Sequence, residues 1–243
     1  MDIDSQLAGL CSRLAADSTI RENLIAVIWI GSRSRAQDVH EESDLDIQIV
    51  MNRPQAEVML ALSGILPDYP LIDLSVVYLK DVFTTEGGLD FQDGTKGPFF
   101  IPVLADGVVL YGRNIYAPIV GTLSIDDLRP SIMFTIREYL ARLRIMTVQG
   151  DAKSFAFKKY SLKLFKDVLV YTETLHLRDM TAATNEKVLS MIDEKWKFRE
   201  PAASALRTMA DYSTPDTRDR QAALLDEYER IVEAISQHYR NTR

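Results

Sequence analysis

Two aspartates stand one residue apart in Ser43-Asp44-Leu45-Asp46-Ile47, and eleven residues separate Asp44 from an earlier Ile30-Gly31-Ser32. On a β-strand, residues i and i+2 face the same way. Asp44 and Asp46 therefore project together, while Leu45 and Ile47 turn toward a core. Carboxylates held about 6–7 Å apart along a strand repel each other unless a cation lies between them. Hard divalent ions with oxygen ligands suit such a pair, Mg²⁺ above all, and they usually bring substrate phosphates with them. The Gly31-Ser32 turn offers the complementary half of a phosphate site: exposed backbone N–H groups, a hydroxyl donor, and no Cβ at Gly31 to block approach.

A D-x-D pair alone is often the solvated face of an edge strand. A third acid shifts the balance toward a built site. In Tyr69-Pro70-Leu71-Ile72-Asp73-Leu74-Ser75-Val76-Val77-Tyr78-Leu79, a run rich in β-formers carries Asp73 between Ile72 and Leu74. An ionised Asp in so apolar a strand is costly unless it is paired or bound to metal. If this strand lies beside the one bearing Asp44 and Asp46, three carboxylates converge.

Taken together, Gly31-Ser32, Asp44-x-Asp46 and the later Asp73 resemble the polymerase-β-type nucleotidyltransferase superfamily. Within it, the length is most similar to bacterial antibiotic nucleotidyltransferases that act on aminoglycosides and lincosamides. The resemblance covers residues 24–113 and takes in Gly107-Val108-Val109-Leu110-Tyr111-Gly112-Arg113, similar to the strand that closes the catalytic domain in that group. It implies transfer of a nucleoside monophosphate, AMP from ATP, to a hydroxyl of a small molecule, with pyrophosphate released. Asp44 and Asp46 are then the Mg²⁺ ligands. Gly31 and Ser32 bind the β- and γ-phosphates, and Asp73 acts as general base, metal ligand or both. Arg33 and Arg35, just past the turn, either pair with phosphate or face solvent. The acceptor is expected between the catalytic domain and the domain that follows it, and antibiotic resistance is the sharpest form of the idea. Two alternatives remain: a protein hydroxyl as acceptor, as in toxin- or antitoxin-type enzymes, and a relative that binds nucleotide without turnover.

Composition narrows the choice of partner. The net charge of −7 is uneven: residues 1–122 carry 8 basic and 17 acidic side chains, residues 123–243 carry 20 and 18. An acidic catalytic half argues against a nucleic-acid acceptor, which needs clustered Lys and Arg, and is compatible with a cationic small molecule. It equally serves solubility. Cys11 has no second cysteine to pair with, which fits a reducing compartment, and it is read as a structural thiol of an amphipathic helix. No apolar run approaches the roughly 18 residues that span a membrane. The acidic start Met1-Asp2-Ile3-Asp4 is unlike a signal peptide, and a cytoplasmic protein is expected, monomeric or homodimeric.

The elements that must position these residues follow from periodicity and punctuation. A helix is expected over 4–17, strands over 25–30, 44–51 and 71–79, and a short helix just after Ser32 whose N-terminus meets the phosphates. Pro54 suits the first turn of a helix running to 63, with Gly64 stopping it. Residues 84–98 hold four of the eleven glycines and read as a long loop, a lid or a plain connector. Ordered structure returns over 99–105 and 107–111. Four helices then follow over 125–149, 153–177, 185–211 and 217–240. In the second, Lys159, Lys163 and Lys166 share a face, either solvated or set against the phosphates. Trp196 and His176 are read as core or interface residues. The expected architecture is α+β: a small mixed-sheet nucleotidyltransferase domain over 1–120, then an all-α helical bundle over 121–243.

Overall fold

The computed structural model describes residues 3–31, 33–35, 45–82, 101–149, 154–176, 179, 183–209 and 217–241. It divides into two units, Met1–Leu123 and Ser124–Arg243. The first holds the strands and the second is helical.

Among the described residues, the first unit has four strands: β1 Leu24–Ile30, β2 Leu45–Met51, β3 Ile72–Tyr78 and β4 Val108–Gly112, in the order β3-β2-β1-β4. β1 runs antiparallel to both β2 and β4, whereas β2 and β3 are parallel. A parallel pair needs a crossover, and helix α3 (Ala56–Ile65) supplies it. Period-two alternation sends the strand residues to two different cores. Val27, Leu45, Ile47, Ile49 and Met51 pack against Leu7, Leu10 and Leu14 of α1 (Ile3–Ala16) and Val58, Leu62 and Ile65 of α3. The other face carries Ala26, Ile28 and Val50, which pack with Leu104 of α5 (Ile101–Ala105) and Tyr116. Short helices α2 (Ser18–Arg21) and α4 (Leu79–Val82) flank β1 and β3, and the Asp17 side chain caps α2 by accepting from the Ile20 N–H at 3.1 Å.

In the second unit, α6 (Ile125–Gln149), α7 (Ser154–Tyr171), α8 (Asn185–Lys195), α9 (Glu200–Arg207) and α10 (Arg218–Asn241) enclose a separate core. Phe157, Leu164, Val168 and Tyr171 of α7 are buried, with Leu175 beyond it. So is the α10 stripe Leu224, Tyr228, Ile231, Val232 and Ile235. Phe165 joins the two helices, meeting the Tyr228 ring edge-on at 4.9 Å between centroids.

Three expectations about elements need correction. Pro54 lies outside α3, whose N-cap is Gln55, and Gly64 does not stop the helix, which continues to Ile65. α7 ends at Tyr171 rather than 177, because Glu173 takes a left-handed conformation, φ 60°, that no helix can pass through. The expected helix over 185–211 is two helices. Pro201 lacks the N–H that would continue the ladder, and it sits instead at the start of α9, where none is needed. A short helix does open after Ser32, as a 3₁₀ turn over Arg33–Arg35, and the residues that follow it lie outside the described ones. The loop over 84–98 lies outside the described residues.

Candidate functional site

β1 ends at Ile30, and Ile30 pairs with Asp46 on β2. Asp46 pairs in turn with Asp73 on β3. Residues paired in this way lie side by side, with strands about 4.8 Å apart, and project from the same sheet face. The two carboxylates are therefore neighbours on the face opposite α1 and α3. Asp46 is half-buried on a central strand, whereas Asp73 is exposed on an outer one. The exposure of Asp73 corrects the expected desolvation cost: solvent hydrates its charge without any partner.

Gly31 closes the other side of the site. Its φ of +89° belongs to the left-handed region, and a Cβ there would run into Oδ2 of Asp46. The chain thus turns directly against the Asp46 carboxylate, and the turn is latched where the Ser34 hydroxyl donates to the Gly31 carbonyl at 2.9 Å. Arg33, next in the turn, is half-buried. Ser32, Asp44 and the side chain of Arg35 lie outside the described residues. Among the described residues, no group of three His, Cys, Asp or Glu side chains is placed to hold a metal.

One row further along the same face, Gln48 of β2 pairs with Ser75 of β3. Gln48 is 7% exposed and its Oε1 has no hydrogen-bond partner among the described residues. Ser75 is exposed, its hydroxyl 3.5 Å from the Ile47 carbonyl. The next row, Val50 and Val77, is apolar. Sequence reading passed over Gln48 and Ser75, although their i+2 spacing from Asp46 and Asp73 was the available signal.

Lys159 and Lys163 belong to α7 of the second unit. Lys159 is exposed; Lys163 is half-buried, its Nζ 5.8 Å from the Tyr160 ring centroid. Arg142 of α6 lies over the same ring and donates to the Tyr160 hydroxyl at 2.9 Å. Deeper between α6 and α7, Asp167 is buried with Thr135 Oγ1 at 2.7 Å. Burial pushes its pKa up to about 8, against the Thr135 contact and the charges of Lys163 and Lys166. Burial also raises the Cys11 thiol above its ordinary value, as suits a structural rather than a nucleophilic cysteine.

Sequence comparison finds no match among family models and none among curated proteins. Solved structures do match. One is spectinomycin adenyltransferase AAD(9) from Enterococcus faecialis, crystallised with ATP and spectinomycin. It has a TM-score of 0.64 at 14% identity, covering 96% of this chain and 100% of that one. The likeness shows that the two chains share a fold over nearly their whole lengths. No described helix is long and apolar enough to cross a membrane.

Proposed function

We propose that this chain is a nucleotidyltransferase that moves AMP from ATP to a hydroxyl of a small, antibiotic-like molecule. The observation that carries this reading is the pairing of Asp46 with Asp73 beside a glycine turn packed on the Asp46 carboxylate. The shared fold with an adenyltransferase crystallised with ATP and spectinomycin supports it.

Two hard oxygen donors paired on one face suit Mg²⁺, and a bound Mg²⁺ would neutralise phosphate charge and orient the α-phosphorus. Asp44 is the further ligand in this reading. The Gly31-Ser32 turn binds the β- and γ-phosphates, and Arg33 and Arg35 pair with the remaining phosphate charge. Asp73, open to solvent at the outer strand, takes the proton of the acceptor hydroxyl. The acceptor oxygen forms its bond to the α-phosphorus as the bond to the β-phosphate breaks, and pyrophosphate leaves with the electron pair. A cytoplasmic setting belongs to the same proposal.

The test is pyrophosphate release from Mg-ATP, with spectinomycin as the first acceptor tried. The unaltered chain should release pyrophosphate only when metal and acceptor are both present. Asp46→Ala and Asp44→Ala should each lower the rate at least about 100-fold. Thermal stability should hold or improve, because one of several mutually repelling carboxylates is gone. Large destabilisation with unchanged activity would sink the metal assignment. Label passing from ATP to a protein band in a lysate would instead favour a protein hydroxyl as acceptor.

A further inference from the structure

The turn assigned to the phosphates is the part of the site that the sheet does least to hold. β1 pairs with β4 as far as Trp29 and with β2 as far as Ile30, so Gly31 lies past the last described ladder contact on both sides. A glycine there is permissive: with no Cβ, it takes φ of either sign at little cost. The observed φ of +89° sets its backbone against Asp46, and the nearest neighbours of an added Cβ would all be atoms of the Asp46 side chain. Something other than sterics and strand pairing has to keep it there.

Ser34 supplies that restraint. It is half-buried in the 3₁₀ turn Arg33–Arg35, and its hydroxyl donates to the Gly31 carbonyl at 2.9 Å. A hydroxyl has a single proton. Given to Gly31, that proton is not available to a phosphate oxygen, so Ser34 works on the turn rather than on the ligand. A local hydroxyl-to-backbone bond of this kind selects one backbone arrangement among several of similar energy. Its net worth is that of an ordinary hydrogen bond, enough to change the ratio of two such arrangements by roughly 3- to 10-fold. A turn already in its binding conformation spares the ligand that cost.

We infer that Ser34 is a positioning residue: its bond to the Gly31 carbonyl holds the turn against Asp46 in the conformation that receives the phosphates of the nucleotide. What the turn binds rests on the transferase reading; the bond, and the glycine freedom it removes, do not. Once nucleotide is bound, its own contacts hold the turn, so the latch acts on affinity and not on the chemical step. Its signature is a raised KM for Mg-ATP with kcat retained.

The experiment compares the unaltered chain with Ser34→Ala, which removes the hydroxyl, and Ser34→Thr, which keeps it. Calorimetric titration with Mg²⁺ and a non-hydrolysable ATP analogue reads nucleotide affinity. Titration with spectinomycin reads acceptor affinity, and pyrophosphate release gives kcat and KM. Ser34→Ala should bind the analogue about 3- to 10-fold more weakly and raise the KM for Mg-ATP by the same factor, with kcat and acceptor affinity within about twofold. Ser34→Thr should stay within about twofold of the unaltered chain throughout. Without ligand, the amide hydrogens of a peptide spanning residues 28–35 should exchange faster in Ser34→Ala, with the melting temperature lowered by at most about 4 °C. Equal nucleotide affinity in Ser34→Ala and the unaltered chain would overturn the inference and leave the transferase reading in place. So would a fall in kcat as large as the rise in KM, or a Ser34→Thr as weak as Ser34→Ala. Nucleotide binding that depends on Ser34, with no pyrophosphate released for any acceptor, would sink the transferase reading and leave this one standing. No nucleotide binding by the unaltered chain would overturn both.

Discussion

At the scale of single residues, the site turns on an atom that is missing. Gly31 is held at φ +89° with the Asp46 carboxylate where a Cβ would be. Gly31→Ala should therefore fail twice, through backbone strain and through displacement of Asp46. We expect a loss of about 1–3 kcal/mol in stability, read by chemical or thermal unfolding, together with loss of pyrophosphate release. Gly64→Ala is the control: nothing lies within 4 Å of its added Cβ, and it sits inside α3, so it should stabilise by about 0.5–1 kcal/mol. The short motifs announced Gly31 and Asp46 because both residue types are rare choices in apolar strand contexts. Gln48 was legible only by counting along the strand, and its burial became visible only once neighbouring strands were in place.

Elements convert sequence spacing into juxtaposition, and they do so unequally. The β2-α3-β3 crossover puts Asp46 opposite Asp73, a relationship between residues 27 positions apart that no local pattern contains. Between α6 and α7, the packing of two helices makes an unusual acid. Thr135 Oγ1 lies 2.7 Å from Asp167 Oδ2 and 2.9 Å from the Ile132 carbonyl, and a hydroxyl has one proton to give. A neutral Asp167 satisfies both contacts by donating to Thr135, which then donates to Ile132. With a folded pKa of about 8 against an ordinary 3.8, Asp167 takes up a proton on folding. Its contribution is complete below pH 3.8 and is lost as pH rises to about 8, with a slope of at most about 1.4 kcal/mol per pH unit. Asp167→Asn should therefore melt like the unaltered chain at pH 4 and above it at pH 9. Unfolding curves across that range check the sign. The break before α9 was readable in principle from Pro201. The left-handed Glu173 that ends α7 was not, because Glu carries no preference for that conformation; its carboxylate accepts from Arg129 at 2.8 Å across the unit.

For the whole molecule, charge distribution is the property a ligand meets first. The first half carries 17 acidic against 8 basic side chains, so the field around the candidate site is negative overall. A cationic acceptor should be drawn in and an anionic nucleotide opposed. Raising ionic strength from about 20 to about 200 mM should lower kcat/KM for a cationic acceptor several-fold, while kcat/KM for ATP holds or rises. Parallel steady-state measurements at fixed Mg²⁺ decide it, and equal responses of the two substrates would argue against steering. The same unevenness is read directly from the sequence, since charge counts need no fold.

Sequence alone determined the α+β class, the strand-rich first half and helical second half, and the chemical character of Gly31, Asp46 and Asp73. These depend on residue type and on periodicity within one element, which short-range sterics and burial impose locally. Tertiary structure alone decided that β3 lies parallel to β2 with Asp73 in register with Asp46. It also decided that Asp73 is open to water, and that Gln48 is buried behind the carboxylates. Each of those depends on strand order and on what covers a face, and both are set by packing among distant segments rather than by any segment itself.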